Sequence, residues 1–137
     1  MKNTIQMLLL LLTLAIGLGG CQKSPINGDL DGQWQIMSLV PEAPEIVLKE
    51  RLYYCFSLHT CQISEYGTGV WTSGNMTYDE KGKTLYIDFP NAKSELSIAR
   101  LKQYGIYTNP VTFTIDHLDK KSLVMRDGDI VVTLRKF

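Results

Sequence analysis

The stretch Leu30-Asp31-Gly32-Gln33-Trp34-Gln35-Ile36 decides the fold class of this chain. Within it, Trp34 and Ile36 alternate with the polar residues Gln33 and Gln35. Strict alternation of apolar and polar side chains is typical of a half-buried β-strand, because successive side chains point to opposite faces of a sheet. The first strand is therefore predicted to begin in this stretch.

The same period of two recurs along the rest of the chain, at 85–89, 113–117 and 130–134. Between such runs lie short turn sequences, at 67–69, 80–83, 119–121 and 127–129, and all contain Gly or Asp. These residues tolerate the positive φ angles that tight hairpins need. Short strands separated by hairpin turns indicate an all-β protein, either an antiparallel barrel or a sandwich.

Two segments interrupt the strand pattern. Pro41–Lys49 contains two prolines and is predicted to be a loop. Lys93–Tyr104 has apolar residues near helical spacing, with Ser94 as a candidate N-cap and Gly105 at the end. We expect one short helix here, before the sixth strand.

The segment Leu52–Tyr66 has two interpretations, because it contains no Gly, Pro, Asn or Asp. It is one long strand or a hairpin with a turn near Leu58. In a hairpin Cys55 and Cys61 would face each other and are candidates for a disulfide; in one strand they would lie roughly 20 Å apart. Together with His59 they would form a metal site only across a sharp turn, so no metal is predicted.

The N-terminus has the organisation of an export signal. Lys2 precedes the apolar run Ile5–Leu18, and Leu18-Gly19-Gly20-Cys21 follows. A charged residue, an apolar segment and small residues at a cleavage site are typical of a signal peptide. A spanning helix needs roughly 20 apolar residues, so this run is too short for one. Residues 1–20 are predicted to be a cleaved signal peptide.

Leu18-Gly19-Gly20-Cys21 also resembles the lipobox of bacterial lipoprotein precursors. This resemblance implies that Cys21 is the first mature residue and carries a lipid, with a membrane as partner. Two or more acyl chains give stable anchoring. Residues 21–29 would form a tether and residues 30–137 the domain. Gln22 is not the Asp associated with inner-membrane retention, so we expect export to the cell envelope and the periplasmic face of the outer membrane.

Gly32-x-Trp34, together with the strand spacing, resembles the lipocalins and the small lipocalin-like domains of bacterial lipoproteins. The resemblance implies an eight-stranded antiparallel up-and-down barrel, with Trp34 plugging one end and Arg135 packing across its ring. Most such lipoproteins have no assigned activity. One departure is the position of the helix, since true lipocalins carry one after the eighth strand.

Whether the barrel is hollow decides the predicted function. The alternation along the predicted strands places large apolar side chains on the inner face of the barrel. It places few polar groups there beyond Ser38, His117 and the Tyr54 hydroxyl. One hypothesis is a small apolar ligand in the barrel mouth, and the alternative is a solid barrel that serves as a structural or protein-interaction module. The candidate ligand-binding residues are Trp34, Tyr54, Phe56, Phe113 and His117. An aromatic rim for a sugar or an apolar partner is a further option, from Tyr53, Tyr54, Trp71, Tyr104 and Tyr107.

The sequence predicts no enzyme and no cofactor. It contains no nucleophile motif or phosphate-binding loop. Asp116 and His117 are adjacent, so on a strand they would point to opposite faces and not form a pair. The full chain has 14 basic and 14 acidic residues, and loss of Lys2 with the signal leaves a net charge near −1. With no basic stripe, nucleic acid is not an expected partner.

Overall fold

The structure, a computed structural model, describes residues 1–7, 26–41 and 51–137. Residues 2–7 are helical. The predicted lipidation site Cys21, most of the signal peptide and tether, and nearly all of the predicted loop at 41–49 lie outside the described residues. The fold is therefore that of residues 26–41 and 51–137.

Among the described residues, eight antiparallel strands form a closed barrel. Each strand pairs with the next one in sequence, and the last strand closes the barrel on the first through the pair Trp34–Lys136. This arrangement confirms the predicted eight-stranded up-and-down barrel. The strands are β1 (Gly32–Val40), β2 (Leu52–Ser57), β3 (Thr60–Glu65), β4 (Gly69–Asp79), β5 (Thr84–Asp88), β6 (Val111–Leu118), β7 (Ser122–Asp127) and β8 (Ile130–Lys136).

The barrel interior is a single apolar core, and alternation along the strands builds it. Side chains predicted to face inward are almost all buried, and further apolar residues from β1 to β4 join them. Large aromatic rings are prominent among the buried side chains, as expected for a small barrel filled by its own residues. The interior aromatic residues of the strands are Trp34, Tyr54, Phe56 and Phe113.

Two β-bulges correct the predicted inner face. In β1 the register shifts between Ile36 and Ser38, so Leu39 rather than Ser38 reaches the core. In β6 it shifts between Ile115 and His117, and the His117 side chain is exposed instead of lying inside the barrel. A bulge inserts one residue into one strand and shifts the alternation after it. Strict alternation had placed the side chains of Ser38 and His117 inside the barrel, and this prediction was therefore wrong for both residues.

The segment 52–66 is a hairpin, with only Leu58 and His59 between β2 and β3. The hairpin interpretation placed Cys55 directly opposite Cys61, and this pairing is wrong by one residue. Cys55 pairs with Gln62, and Cys61 pairs with Phe56. Cys55 is half-buried on the outer face, Cys61 is buried inside, and both thiols are free. Burial raises the pKa of the Cys61 thiol well above its usual range, so this thiol stays protonated at neutral pH.

The predicted helix is present before β6 as α1 (Glu95–Lys102). Ser94 caps it, since the Ser94 Oγ accepts a hydrogen bond from the Ser97 amide at 3.1 Å. Only Leu101 of this helix is buried. The segment after α1 turns into the barrel, where Tyr104 and Ile106 are buried.

The up-and-down topology sorts the connections between two ends of the barrel. The "closed end" carries a short 3₁₀ turn, Gly28–Leu30, before β1 and the turns at 58–59, 80–83 and 119–121. The "mouth end" carries the connections at 66–68, 89–110 and 128–129. Helix α1 therefore belongs to the mouth end.

Candidate functional site

Trp34 fills the closed end of the barrel. Its side chain is fully buried, and its Nε1 donates a hydrogen bond to the Leu30 carbonyl at 2.8 Å. The Lys136 ammonium lies 5.0 Å from the centre of the Trp34 ring and donates to the Asp29 carbonyl at 2.9 Å. The ring, the 3₁₀ turn and the last strand thus hold one another in place.

Lys136, and not the predicted Arg135, covers the Trp34 ring. Lys136 is the direct partner of Trp34 in the β1–β8 register, whereas Arg135 points outward and donates to the Gln35 Oε1 at 3.1 Å. Gly32 makes room for the lysine, because a Cβ at this position would lie 2.7 Å from the Lys136 Cε. Its φ of +132° is also one that residues with a side chain rarely adopt.

Tyr104 fills the mouth end in a similar way. The Tyr54 hydroxyl donates a hydrogen bond to the Tyr104 carbonyl. The Tyr104 hydroxyl donates to the Ser64 carbonyl at 3.1 Å and accepts from the Trp71 Nε1 at 3.2 Å. The Tyr54 and Tyr104 rings meet edge to face, with centroids 5.9 Å apart. Tyr104 is therefore bonded to β2, β3 and β4.

Burial keeps the Tyr54 hydroxyl neutral. It raises the pKa of Tyr54 well above its usual range, and the nearby Cys61 and Tyr104 add to the effect. Gly105 then lets the chain turn over the barrel rim, since it has a φ of +83° and Val132 and Leu39 occupy the space that a side chain would need. A Cβ at residue 105 would come within 2.5 Å of the Val132 Cγ2.

Outside the mouth, Arg100 of α1 fixes the connection between β5 and β6 to the outer wall of the barrel. Its guanidinium lies 4.6 Å from the centre of the Trp71 ring and 3.2 Å from the Glu65 Oε2. Such a contact combines a cation–π interaction with a half-exposed ion pair. Most of the side chains that could have formed an aromatic rim are thus engaged within the domain, since Tyr53, Tyr54 and Tyr104 are buried and Trp71 is partly buried beneath Arg100.

The candidate ligand-binding residues fall into two groups. Trp34, Tyr54, Phe56 and Phe113 lie together inside the barrel, and each is 0% exposed. His117 is not brought to them, because the β6 bulge places it on the outer surface. Tyr104 was the residue missed as part of the core; its helical spacing was visible in the sequence, but its insertion into the mouth was not.

Grooves on the surface accompany the filled barrel, and two of them bear on the candidate site. The "α1 groove" has a volume of about 380 Å³ and is half-open to solvent. Its walls are mixed, with apolar side chains next to Lys93, Thr108 and Asn109, and its apolar lining includes Phe89, Ala92, Ile98, Leu101 and Ile106. A second groove of about 420 Å³ lies at the closed end and is bordered by Tyr78, Glu80, Lys83 and His117.

Comparison with known proteins agrees with this architecture. The family model of the lipocalin-like domain matches residues 12–137. The chain belongs to the lipocalin-like domain family. The match covers every strand of the barrel as well as the Gly32-x-Trp34 motif, so the predicted family is confirmed.

Two solved structures share the fold of this lipocalin-like domain. A lipocalin-like protein from Bacteroides uniformis is 20% identical, with a TM-score of 0.59 over 80% of this chain and all of that one. A protein from Bacteroides eggerthii is 15% identical, with a TM-score of 0.53 over 78% of this chain and 98% of that one. No protein with a curated description matches the sequence. At these identities the likeness concerns the fold alone.

The outer surface of the lipocalin-like barrel carries a Ser-His-Asp cluster that does not have the geometry of a catalytic triad. The His117 Nε2 lies 2.8 Å from the Asp119 Oδ2 and 3.0 Å from the Ser122 Oγ. A triad needs Asp and Ser on opposite ring nitrogens, so that the imidazole can relay a proton between them. Here both contact the same nitrogen, and the Ser122 hydroxyl donates directly to Asp119 at 2.9 Å.

The cluster is better explained as the framework of the β6–β7 turn. The Asp119 carboxylate accepts hydrogen bonds from the backbone amides of Lys121 and Ser122, both at 2.7 Å. These bonds, the Lys121 amide first, lower the pKa of Asp119 far below its usual range. Asp116 is engaged separately in an ion pair with Arg126 at 2.9 Å.

We expect the stability of the domain to depend on the ionisation of Asp119. Since its folded-state pKa is lowered, the stabilisation is fully present above the unfolded pKa of about 3.9 and is lost as the pH falls below that value. Asp119→Asn should therefore lower the melting temperature at pH 7, and its difference from wild type should narrow below pH 4. Thermal melts at several pH values measure this.

Asp129→Asn is the matched control, because Asp129 is also an exposed turn aspartate. Equal effects of the two substitutions at neutral pH would contradict the role given to Asp119. A difference from wild type that stays constant with pH would contradict it as well.

The three potential metal ligands of the β2–β3 hairpin do not lie together. Cys55, His59 and Cys61 are kept apart, since Cys61 faces inward, Cys55 outward and His59 lies in the exposed turn. In the part of the chain that the structure describes, no group of three or more potential ligands could hold a metal ion.

The helices among the described residues are too short or too polar to cross a bilayer.

Proposed function

We propose that this protein is a non-catalytic lipoprotein of the cell envelope, held by lipid on Cys21, whose solid barrel serves as a protein-interaction module. The observation that carries the proposal is the filled interior, in which Trp34 closes one end and Tyr104 the other. A ligand-carrying barrel keeps space for a ligand at its mouth. In this barrel the aromatic rings occupy that space themselves.

The surface of α1 supports a macromolecular partner. Although the helix has only eight residues, its Leu96 is 85% exposed and its Ile98 is 41% exposed. Apolar side chains in such positions gain nothing from the core, and exposed apolar patches often mark protein contacts. Helix α1 is also at the mouth end, which is the end away from the N-terminal tether.

Native mass spectrometry of the protein purified from its host membranes tests the solid barrel. We expect a mass that residues 21–137 and the attached lipid account for, with no further small molecule. Denaturing spectra of the same sample provide the matched control. A small molecule that is present in the native spectrum and lost on denaturation would contradict an interaction module that carries no ligand.

Cys21→Ser tests the anchor separately. The variant is expected to lose the lipid mass and to leave the membrane fraction, because nothing else in the proposal fixes the domain to a bilayer. Cys55→Ser is the matched control, since Cys55 is a free thiol on the outer wall of the barrel. A Cys21→Ser protein that stays in the membrane fraction would contradict lipid anchoring at this residue.

A small apolar ligand is the second candidate function, and the α1 groove is the observation that favours it. Its volume of about 380 Å³ lies within the range of roughly 300–1,000 Å³ of small-molecule sites, which also combine apolar walls with a few polar groups. Ile98→Asp should then abolish binding of a co-purified molecule. Leu96→Asp, outside this groove, should not.

A further inference from the structure

Leu58, at the tip of the β2–β3 turn, is in an unfavourable position for a leucine. It is the first of two turn residues, has a φ of 55° and is 60% exposed. Positive φ at such a position favours Gly or Asn, because the Cβ of other residues crowds the backbone. A strained apolar residue in water points to an interaction that uses its side chain.

A second exposed apolar residue lies on the neighbouring segment. Ile26 is 56% exposed, and the adjacent Asn27 donates a hydrogen bond from its Nδ2 to the Leu58 carbonyl at 2.8 Å. The two apolar side chains therefore extend from chain segments that are bonded to each other at the closed end. Together with the β4–β5 and β6–β7 turns, they define what we call the "closed-end surface".

Exposed lysines accompany these apolar residues on the closed-end surface. They lie in the two other turns of this end, at 81, 83, 120 and 121. Carboxylates are present too, but Asp119 is engaged by the amides of its own turn, and Asp79 accepts a hydrogen bond from the Gly82 amide at 3.1 Å. Asp29 and Glu80 remain exposed. Apolar tips flanked by lysines fit the boundary between acyl chains and lipid phosphates.

The position of the anchor brings this end to a bilayer. The chain enters β1 at the closed end, and only four residues lie between Cys21 and Ile26, which are five Cα–Cα steps apart. At no more than ~3.6 Å per residue, that segment spans at most ~18 Å. This step rests on the proposed lipid anchor. If the anchor is present, the closed end cannot be far from the membrane surface.

We propose that the closed-end surface faces the membrane, with Leu58 and Ile26 among the lipid headgroups and the turn lysines near the phosphates. The mouth end, with α1 and its groove, then faces away from the leaflet that holds the anchor. The orientation leaves the exposed Leu96 accessible to partners in the aqueous compartment.

Quenching by headgroup nitroxides tests this orientation on the full lipidated protein. The protein is placed in vesicles of phosphatidylethanolamine and phosphatidylglycerol, with a fluorophore on Lys120→Cys or on the matched Lys93→Cys at the mouth end, both in a Cys55→Ser background. Both lysines are exposed, and Cys61 is buried. We expect several-fold stronger quenching at residue 120 than at residue 93.

The outcomes separate this inference from the anchor proposal. A protein that fails to float with the vesicles overturns the anchor. A protein that floats but is quenched equally at both positions, or more strongly at residue 93, overturns the orientation alone. Quenching at residue 120 that disappears when the protein is diluted in lipid would indicate contact between copies of the chain, and would also overturn the membrane-facing surface.

Two exposed leucines provide the matched variants. Leu58→Asn removes the apolar tip while suiting the positive φ, and Leu96→Asn makes the same change on α1. Leu58→Asn is expected to weaken quenching at residue 120 without loss of flotation, and Leu96→Asn to leave it unchanged. Equal effects of the two variants would contradict a role for Leu58 at the membrane.

Discussion

Replacement of Tyr104 by alanine is expected to lower the free energy of unfolding by about 3–5 kcal/mol, the range for removal of a large buried aromatic side chain. The substitution removes a fully buried ring that packs edge to face on Tyr54. It also leaves the Ser64 carbonyl and the Trp71 Nε1 without the hydroxyl to which they are bonded. Urea denaturation of the two proteins measures the difference.

Tyr104→Phe separates the hydroxyl from the ring. It keeps the packing and removes the hydrogen bonds of the hydroxyl to Ser64 and Trp71, so a loss of about 1–3 kcal/mol is expected. If Tyr104→Ala cost no more than Tyr104→Phe, the ring would not be part of the packed core. The assignment of Tyr104 as the group that fills the mouth would then be wrong.

Tyr104→Ala also tests whether the mouth of the barrel would bind a small molecule if the Tyr104 ring were absent. Loss of the phenol ring leaves a void at the mouth, bordered by the Tyr54 ring and by the Ser64 and Trp71 groups that were bonded to the hydroxyl. Cavities made by removal of a ring bind small aromatic molecules, and 4-methylphenol supplies both the ring and the hydroxyl. Addition of 4-methylphenol should therefore raise the melting temperature of Tyr104→Ala in a concentration-dependent way and leave wild type unchanged. A similar shift in wild type would contradict the filled mouth.

Local patterns in the sequence were sufficient to predict most of the fold. Alternation at residues such as Leu85 and Ile87 places them in the core, and Ser94 caps α1 where its type and position indicated. These features depend on a few neighbouring residues. The family was accessible for the same reason, because Gly32-x-Trp34 is a short motif.

The errors occurred where a single residue changes the register. No turn residue marks the bulges before Ser38 and His117, so strict alternation placed both side chains inside. The two-residue turn at Leu58 and His59 sets the offset of the cysteines, although it contains neither Gly nor Asn. Pairing with a neighbouring strand set these registers, with β8 for β1, with β7 for β6 and with β3 for β2, and the pattern within a single strand does not reveal it.

The position of Tyr104 could not be predicted from local sequence patterns, for a different reason. Its hydroxyl contacts Ser64 and Trp71, which lie 40 and 33 residues away in the chain. Only the closure of the barrel brings β3 and β4 next to the segment after α1. The question of a hollow or filled mouth therefore depended on a contact that no pattern within one strand could predict.

Trp34→Ala is expected to have an effect of similar size at the opposite end of the barrel, about 3–5 kcal/mol of lost stability. The substitution empties the closed end and removes the hydrogen bond that the Leu30 carbonyl accepts. It also removes the ring over which the Lys136 ammonium lies. Urea denaturation measures the total loss, and hydrogen exchange at residues 28–32 should show that protection is lost first at the 3₁₀ turn.

The two neighbouring cations of β8 make the test of this site specific. Lys136→Met keeps an apolar chain over the Trp34 ring but removes the charge, so it should cost about 0.5–2 kcal/mol, the range for a cation–π contact. Arg135→Met should cost less, because the Arg135 side chain is exposed and, within the described residues, its hydrogen bond is to Gln35. A larger loss from Arg135→Met than from Lys136→Met would contradict the observed β1–β8 register. It would restore the prediction that Arg135 covers the tryptophan.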